Sequence, residues 1–199
     1  MYPDDPEPLC DIEQLMDLLD ACRGAWDTPD RSGDPVDLHD HGLQTANLLL
    51  LRHPHDVALQ VAGLVHDLGH LLRPGDDAGH AQHAATAVRP LLGERVARLV
   101  ELHVPAKRYL AAVRPRRALS RQSAFTLLAQ GGPMSEAERA DFRADPLAAA
   151  ALALRRADDA AKVVGLDCGS LAAWRPRITA VAAMAAAGAT ATAEPPPRV

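Results

Sequence analysis

The chain has few aromatic residues, few cysteines and no long apolar run. Phe, Trp and Tyr together make up 3% of 199 residues, which argues against a large β-sandwich. The three cysteines, Cys10, Cys22 and Cys168, have no C-x-x-C spacing, so neither a disulfide framework nor a thiolate metal site is indicated. Residues 1–9 are acidic and Pro-rich, unlike a signal peptide, and no stretch is long enough to span a bilayer. We therefore expect a cytoplasmic protein without a membrane segment.

Alanine and leucine dominate the composition, while Gly and Pro fall at discrete places. This profile is typical of an all-α bundle. We expect an acidic N-terminal segment over 1–9, one domain over 10–188 and a disordered tail over 189–199. The periodicity predicts helices over 11–22, 36–51, 56–72, 79 to a break before 94, 94–103, 120–129, 135–143, 145–164 and 171–187. Pro105 is expected to end the helix that carries His103.

Residues 64–72, Leu-Val-His-Asp-Leu-Gly-His-Leu-Leu, place three polar side chains in an apolar run. If the run is a helix, His66 and His70 lie one turn apart on one face, and Asp67 can reach a second atom beside them. Burial of these groups is costly unless each has a partner. A metal ion supplies one, because imidazole and carboxylate suit iron, manganese or zinc. The alternative is a core histidine hydrogen-bonded to a carboxylate.

Further histidines and acids recur on the predicted helices. Ligands converging from several helices are how a bundle builds a two-metal site, whereas one metal ion needs about four. Asp67 is the natural bridge, because a carboxylate has two oxygens. The candidates are His41, His66, Asp67, His80, His103 and Asp158.

Lysine is scarce among the 21 basic residues, since only Lys107 and Lys162 are lysine. Each follows a candidate ligand by four residues, which places it one helical turn away on the same face. A lysine ammonium is a compact donor suited to phosphate-like anions. Together with a net charge of −5, this predicts a small anionic substrate and no nucleic-acid partner.

Four strings carry a family resemblance: HGLQTA from His41, HDLGH from His66, HVPAKRYL from His103 and LRRADDAAK from Leu154. With the segments LS…S…TL and QGGPM between 119 and 134, they resemble the mixed-valent di-iron HD-domain oxygenases that cleave organophosphonates. The resemblance covers about 33–166. It implies an HD-domain helical bundle with a central dinuclear metal site.

The resemblance also implies site residues and cofactors. It implies two iron ions, Fe(II) and Fe(III), with O2 as co-substrate, and cleavage of a 1-hydroxy organophosphonate to phosphate and a carboxylic acid. His83 competes with His80, which the register of the family pattern favours. The implied metal ligands are His41, His66, Asp67, His80, His103 and Asp158; the catalytic residues are His66, Asp67 and His70; and the substrate-binding residues are Gln44, His70, Lys107, Ser123 and Thr126.

One segment departs from the family pattern. Residues 31–34 read Arg-Ser-Gly-Asp, where the family often has a Tyr-x-Gly-Glu segment that contacts a substrate amine. We therefore expect a smaller or differently charged 1-hydroxyphosphonate. The alternatives are a dinuclear HD phosphohydrolase acting on a nucleotide or phosphoester, and an inactive HD protein that binds a metabolite. The sequence does not separate monomer from homodimer, and His39, His53 and His55 are expected to be solvated.

Overall fold

The computed structural model describes residues 6–28, 30–114 and 121–193, with backbone alone for 121–123 and 190–193. Over these residues the chain is helical and has no strand, which confirms the all-α class. None of the described helices is both long and apolar enough to cross a membrane. The helices are α1 (Ile12–Ala21), α2 (Leu38–Arg52), α3 (Val57–Val65), α4 (Leu68–Leu72), α5 (His80–Val113), α6 (Arg121–Ala129), α7 (Glu136–Ala144), α8 (Ala148–Ala160), a 3-10 helix (Leu171–Trp174) and α9 (Arg175–Ala193).

Polar side chains cap several helix starts and satisfy backbone N–H groups that would otherwise lack partners. Asp11, Asp37 and Asp56 each accept an N–H three residues ahead. Ser135 and Glu138 form a reciprocal capping box at the start of α7, which confirms the helix start predicted there.

The core lies where α3 is surrounded by α2, α5, α8 and α9. Every residue of α3 from Leu59 to Val65 is buried, as expected of a helix that is apolar on all sides. Because His66 follows directly after this helix, the chain delivers its imidazole into the interior, where the side chain is fully buried.

The single helix predicted over 56–72 is wrong. The chain instead forms α3 and α4, interrupted at His66 and Asp67, where Asp67 has φ −101° and ψ 9°. Adjacent side chains on a continuous helix point about 100° apart. At the interruption the two side chains are not held to this angle, and Nε2 of His66 lies 3.4 Å from Oδ2 of Asp67.

The helix expected to break before residue 94 does break, at Gly93, where φ is +78°. The two parts of α5, 80–92 and 94–113, fold back on each other at this point. On a straight helix His80 and His103 would lie about 34 Å apart, whereas their Nε2 atoms are 2.9 Å apart. The prediction that Pro105 ends the helix is wrong, since the second part continues to Val113.

Two helix ends differ from the prediction. α8 ends at Ala160 rather than near 164, so Lys162 lies in the segment after the helix. α9 extends to Ala193, into the segment predicted to be a tail, and 194–199 lie outside the described residues. The division into segments at 9 and 188 stays a prediction.

Gly69 allows α4 to approach the start of α5, since a Cβ there would overlap the carbonyl oxygen of His80. We expect Gly69→Ala to lower the free energy of unfolding by about 1–3 kcal/mol through overpacking. Gly188→Ala is the control, because a Cβ at that position in α9 would meet no atom of the described residues within 4 Å. Urea denaturation measures both variants. Equal stability of the two would contradict the close approach.

Candidate metal centre

Four histidines share one arrangement: Nδ1 faces a backbone carbonyl, and Nε2 faces the interior. Because a carbonyl oxygen only accepts, each Nδ1 carries the proton and donates it. The lone pair of each neutral ring is therefore on Nε2. The Nδ1–O pairs are His41–Ala161 at 2.8 Å, His66–Gly63 at 2.9 Å, His80–Asp77 at 2.8 Å and His103–Val100 at 2.6 Å.

The Nε2 atoms approach one another in two pairs. Those of His41 and His66 are 3.3 Å apart, and those of His80 and His103 are 2.9 Å apart. Two lone pairs that face each other at such distances repel unless a cation lies beside them. The arrangement therefore calls for positive charge at two neighbouring points.

Asp67 lies between the two pairs. Its Oδ2 is 3.4 Å from Nε2 of both His41 and His66. Its Oδ1 is 3.5 Å from Nε2 of His80 and 3.7 Å from that of His103. One oxygen thus faces each pair, which is the geometry that a carboxylate needs to bridge two metal ions.

Asp158, near the end of α8, completes the first group. Its Oδ1 lies 3.4 Å from Nε2 of His41, while its Oδ2 accepts a hydrogen bond of 2.5 Å from Arg155. The Arg155 guanidinium is buried and also bonds Asp159. Arg155 therefore fixes the orientation of Asp158 so that one oxygen remains turned towards His41.

Burial controls the charge of most of these rings. It lowers the pKa of His80 to about 4, and it lowers the pKa of His66 and, more strongly, that of His103. The three rings are neutral at physiological pH, and the neutral imidazole is the form that ligates metal ions.

The carboxylates create the opposite effect at His41. Burial alone would lower its pKa, but Asp158 and Asp67 outweigh that effect and raise the pKa of His41 to about 10. Burial likewise would raise the pKa of Asp158, yet Arg155 and then His41 hold that pKa well below its ordinary value. Two ionised carboxylates thus attract a cation to this point, whether a proton or a metal ion.

The residues present fit a dinuclear metal site. The donors are neutral imidazole nitrogens and carboxylate oxygens, which suit iron, manganese or zinc. Each ring is oriented by a carbonyl behind it, as metal-ligating histidines usually are. Among the described residues, two groups at this centre have ligand atoms within 4.8 Å of one another: His41, His66 and Asp158, and Asp67, His70 and His80.

The structure places the competing histidines differently. His80 is buried in the cluster, whereas Nε2 of His83 bonds Asp76 at 2.7 Å outside it. This geometry favours His80 as the ligand. His53 and His55 are exposed as predicted, but the prediction for His39 is wrong, since that ring is buried.

His70 lies beside the centre without a backbone anchor. Its ring stacks on that of His80 with centroids 4.3 Å apart. Its buried Nδ1 has no hydrogen-bond partner among the described residues and lies 3.6 Å from Oδ1 of Asp77. An unpaired buried nitrogen is costly. His70 is therefore suited to bind a ligand that enters the site.

A cavity of about 40 Å³ borders the centre, and Lys107 lines it. The Lys107 Nζ donates hydrogen bonds to Thr126 Oγ1 at 2.5 Å and to Gln130 Oε1 at 2.9 Å. Burial, followed by the charge of Arg155, lowers the pKa of Lys107 to about 8. A third N–H of the ammonium remains to donate to an anion in the cavity.

Two other residues predicted to bind substrate are not placed in the cavity wall. The amide of Gln44 bonds the backbone N–H and carbonyl of Val163 at 3.0 and 2.9 Å, and so holds the segment after α8. The Ser123 side chain lies outside the described residues. Thr126 and His70 do line the cavity.

Sequence reasoning missed several residues of the site. Gln130, Arg155 and Asp27 line the cavity and were not assigned a role there. Arg155 could have been found, because it precedes Asp158 by one helical turn inside the string LRRADDAAK. Gln130 begins the string QGGPM, but that string alone does not indicate contact with Lys107. No local pattern marks Asp27, since only the folded loop brings it to the cavity.

The fold and the paired His/Asp groups define a helical protein whose buried side chains could hold metal ions. No protein-family model matches the chain. A hydroxymethylphosphonate dioxygenase of Gimesia maris is 36% identical over 150 residues, which cover 70% of this chain and 74% of the relative. A [1-hydroxy-2-(trimethylamino)ethyl]phosphonate dioxygenase (glycine-betaine-forming) of Leisingera caerulea is 32% identical over 146 residues, covering 68% and 74%. The chain belongs to the family of HD-domain phosphonate oxygenases.

We expect Asp67→Ala to remove both metal ions, because one oxygen of Asp67 faces each histidine pair. Asp76→Ala is the control, since that carboxylate pairs with His83 away from the centre. Elemental analysis of the purified variants measures the change. Retention of the full wild-type metal content by Asp67→Ala would show that Asp67 does not bridge.

Proposed function

We propose that the protein is a di-iron dioxygenase that cleaves the C–P bond of a small 1-hydroxyphosphonate. Family membership supports an oxidoreductase acting on phosphonates. The observation that carries the proposal is Asp67, whose two oxygens face two histidine pairs beside a cavity that Lys107 lines. The alternative, a dinuclear phosphohydrolase, would use the same donors but has no support from the relatives.

The proposed ligands are those implied by the sequence: His41, His66, Asp67, His80, His103 and Asp158. Bound iron would supply the redox chemistry with O2 and the Lewis acidity that orients the hydroxyl and phosphonate groups. The reaction is balanced for hydroxymethylphosphonate: one O2 is consumed, the C–P bond breaks, and formate and inorganic phosphate are formed. Both oxygen atoms enter the products, so no other oxidant is needed.

The protein's own residues bind and orient the substrate. Lys107 lines the cavity and has no carboxylate partner in the described part of the chain, so its charge is available to the phosphonate. Thr126 and Gln130 hold its Nζ in place. His70, whose buried Nδ1 lacks a partner within the described part of the chain, is the group we assign to hydrogen-bond the substrate.

The size of the cavity supports a small substrate. At about 40 Å³ it offers room for few water-sized groups. Hydroxymethylphosphonate, which the Gimesia maris relative is named for, has a single carbon and is therefore the first substrate to test.

Phosphate release from hydroxymethylphosphonate tests the function. Iron-loaded protein is expected to release phosphate and formate in equal amounts, with one O2 consumed per turnover, and to release none under argon. Zinc-loaded protein is the control. Equal phosphate release with and without O2, or activity confined to phosphoesters, would favour the hydrolase instead.

The pKa of Lys107 predicts the pH dependence of substrate capture. Because burial lowers this pKa to about 8, the side chain is charged below that pH and neutral above it. We expect kcat/KM of the wild type to fall above about pH 8, since kcat/KM reports the free enzyme. An arginine at this position keeps its charge at all these pH values. The fall in kcat/KM above pH 8 should therefore be absent from Lys107→Arg. Superimposable profiles would contradict the role of Lys107.

A further inference from the structure

Seven charged side chains line the cavity, and their pairing decides which substituents it accepts. The acids are Asp27, Asp34, Asp67 and Asp158, and the bases are Lys107, Arg155 and Lys162. Asp67 and Asp158 face the metal centre, and Arg155 bonds Asp158. The remaining four are Asp27, Asp34 and Lys162, which lie together at one part of the wall, and Lys107, which lies at another.

Asp34 and Lys162 form an ion pair that joins two loops. The Lys162 Nζ is 2.5 Å from Asp34 Oδ2 and 4.0 Å from Asp158 Oδ1, and both side chains of the pair are about 15% exposed. Burial would lower the pKa of Lys162, but Asp158 and Asp34 raise it, so the ammonium stays charged. The Lys162 ammonium thus interacts with the carboxylates of Asp34 and Asp158.

Asp27 holds the loop that carries Asp34. Both oxygens of Asp27 lie within 3.2–3.3 Å of the Asp34 backbone N–H, and Gly33 packs so closely that a Cβ there would overlap the Asp27 carboxylate. Asp27 therefore fixes the position of Asp34 opposite Lys162.

We propose that Lys162 is a specificity-determining residue that neutralises Asp34 and thereby restricts the site to 1-hydroxyphosphonates whose substituent carries no positive charge. The inference rests on the proposed function and names its substrate class. A carboxylate left unpaired in a largely buried site strongly attracts a cation. Because Lys162 already pairs with Asp34, a substrate ammonium would form only a weak ion pair with Asp34 and would be repelled by the charge of Lys162.

Two probes of equal size test the proposal. In (1-hydroxypropyl)phosphonate a methyl group stands where (2-amino-1-hydroxyethyl)phosphonate has an ammonium, so the two probes match in size and differ in charge. The variants are Lys162→Met, Asp34→Asn and the double variant, with Arg156→Met as the control for loss of an exposed cation on α8. Dissociation constants are measured on zinc-loaded protein by calorimetry, and then kcat/KM on iron-loaded protein.

The wild type is expected to favour the methyl probe. Lys162→Met should shift the ratio towards the ammonium probe by about 10-fold or more, as expected for one charge pair gained at a partly buried site. The double variant should return to the wild-type preference, and Arg156→Met should not change it.

A folded, metal-loaded Lys162→Met with the wild-type binding ratio would overturn the proposal. So would a shift that persists in the double variant, because the ammonium would then be bound by another group such as Asp27. If the binding ratios behave as expected while neither the two probes nor hydroxymethylphosphonate is turned over with O2, the proposed function fails and the assignment of Lys162 stands.

Discussion

The centre depends on four backbone carbonyls that each hold one imidazole ring by its Nδ1. These bonds turn the four Nε2 atoms towards one buried space. A protein interior rarely tolerates such convergence without a cation. Asp67 and Asp158 add negative charge to the same place. Arg155 bonds one oxygen of Asp158 and so fixes the orientation of that carboxylate. The demand for positive charge is therefore built into the geometry of the chain.

Two breaks in the helices make that geometry possible. The interruption between α3 and α4 lets His66 and Asp67 reach the same cluster. The reversal at Gly93 brings His80 and His103 together from the two parts of α5. A straight helix would hold His80 and His103 about 34 Å apart. The irregular positions in the fold are thus the ones that assemble the site.

Composition and periodicity predict the all-α class and most helices, because apolar spacing records which faces are buried. They do not reveal the break at His66–Asp67, since each residue there is compatible with a helix and tertiary packing decides. Pro105 misleads for a related reason: a helix already packed on one face can lose one hydrogen bond and continue. The His/Asp set could be predicted from spacing and resemblance. The pairing of Asp34 with Lys162 could not, because it joins two loops distant in sequence.

The most direct test of the central claim is metal analysis combined with an EPR spectrum of iron-loaded, ascorbate-treated protein, before and after hydroxymethylphosphonate is added. The account predicts about two irons per chain and a coupled mixed-valent signal that changes when the substrate binds. Two zinc or manganese ions in the active protein, or iron that gives no coupled signal, would contradict a di-iron oxygenase.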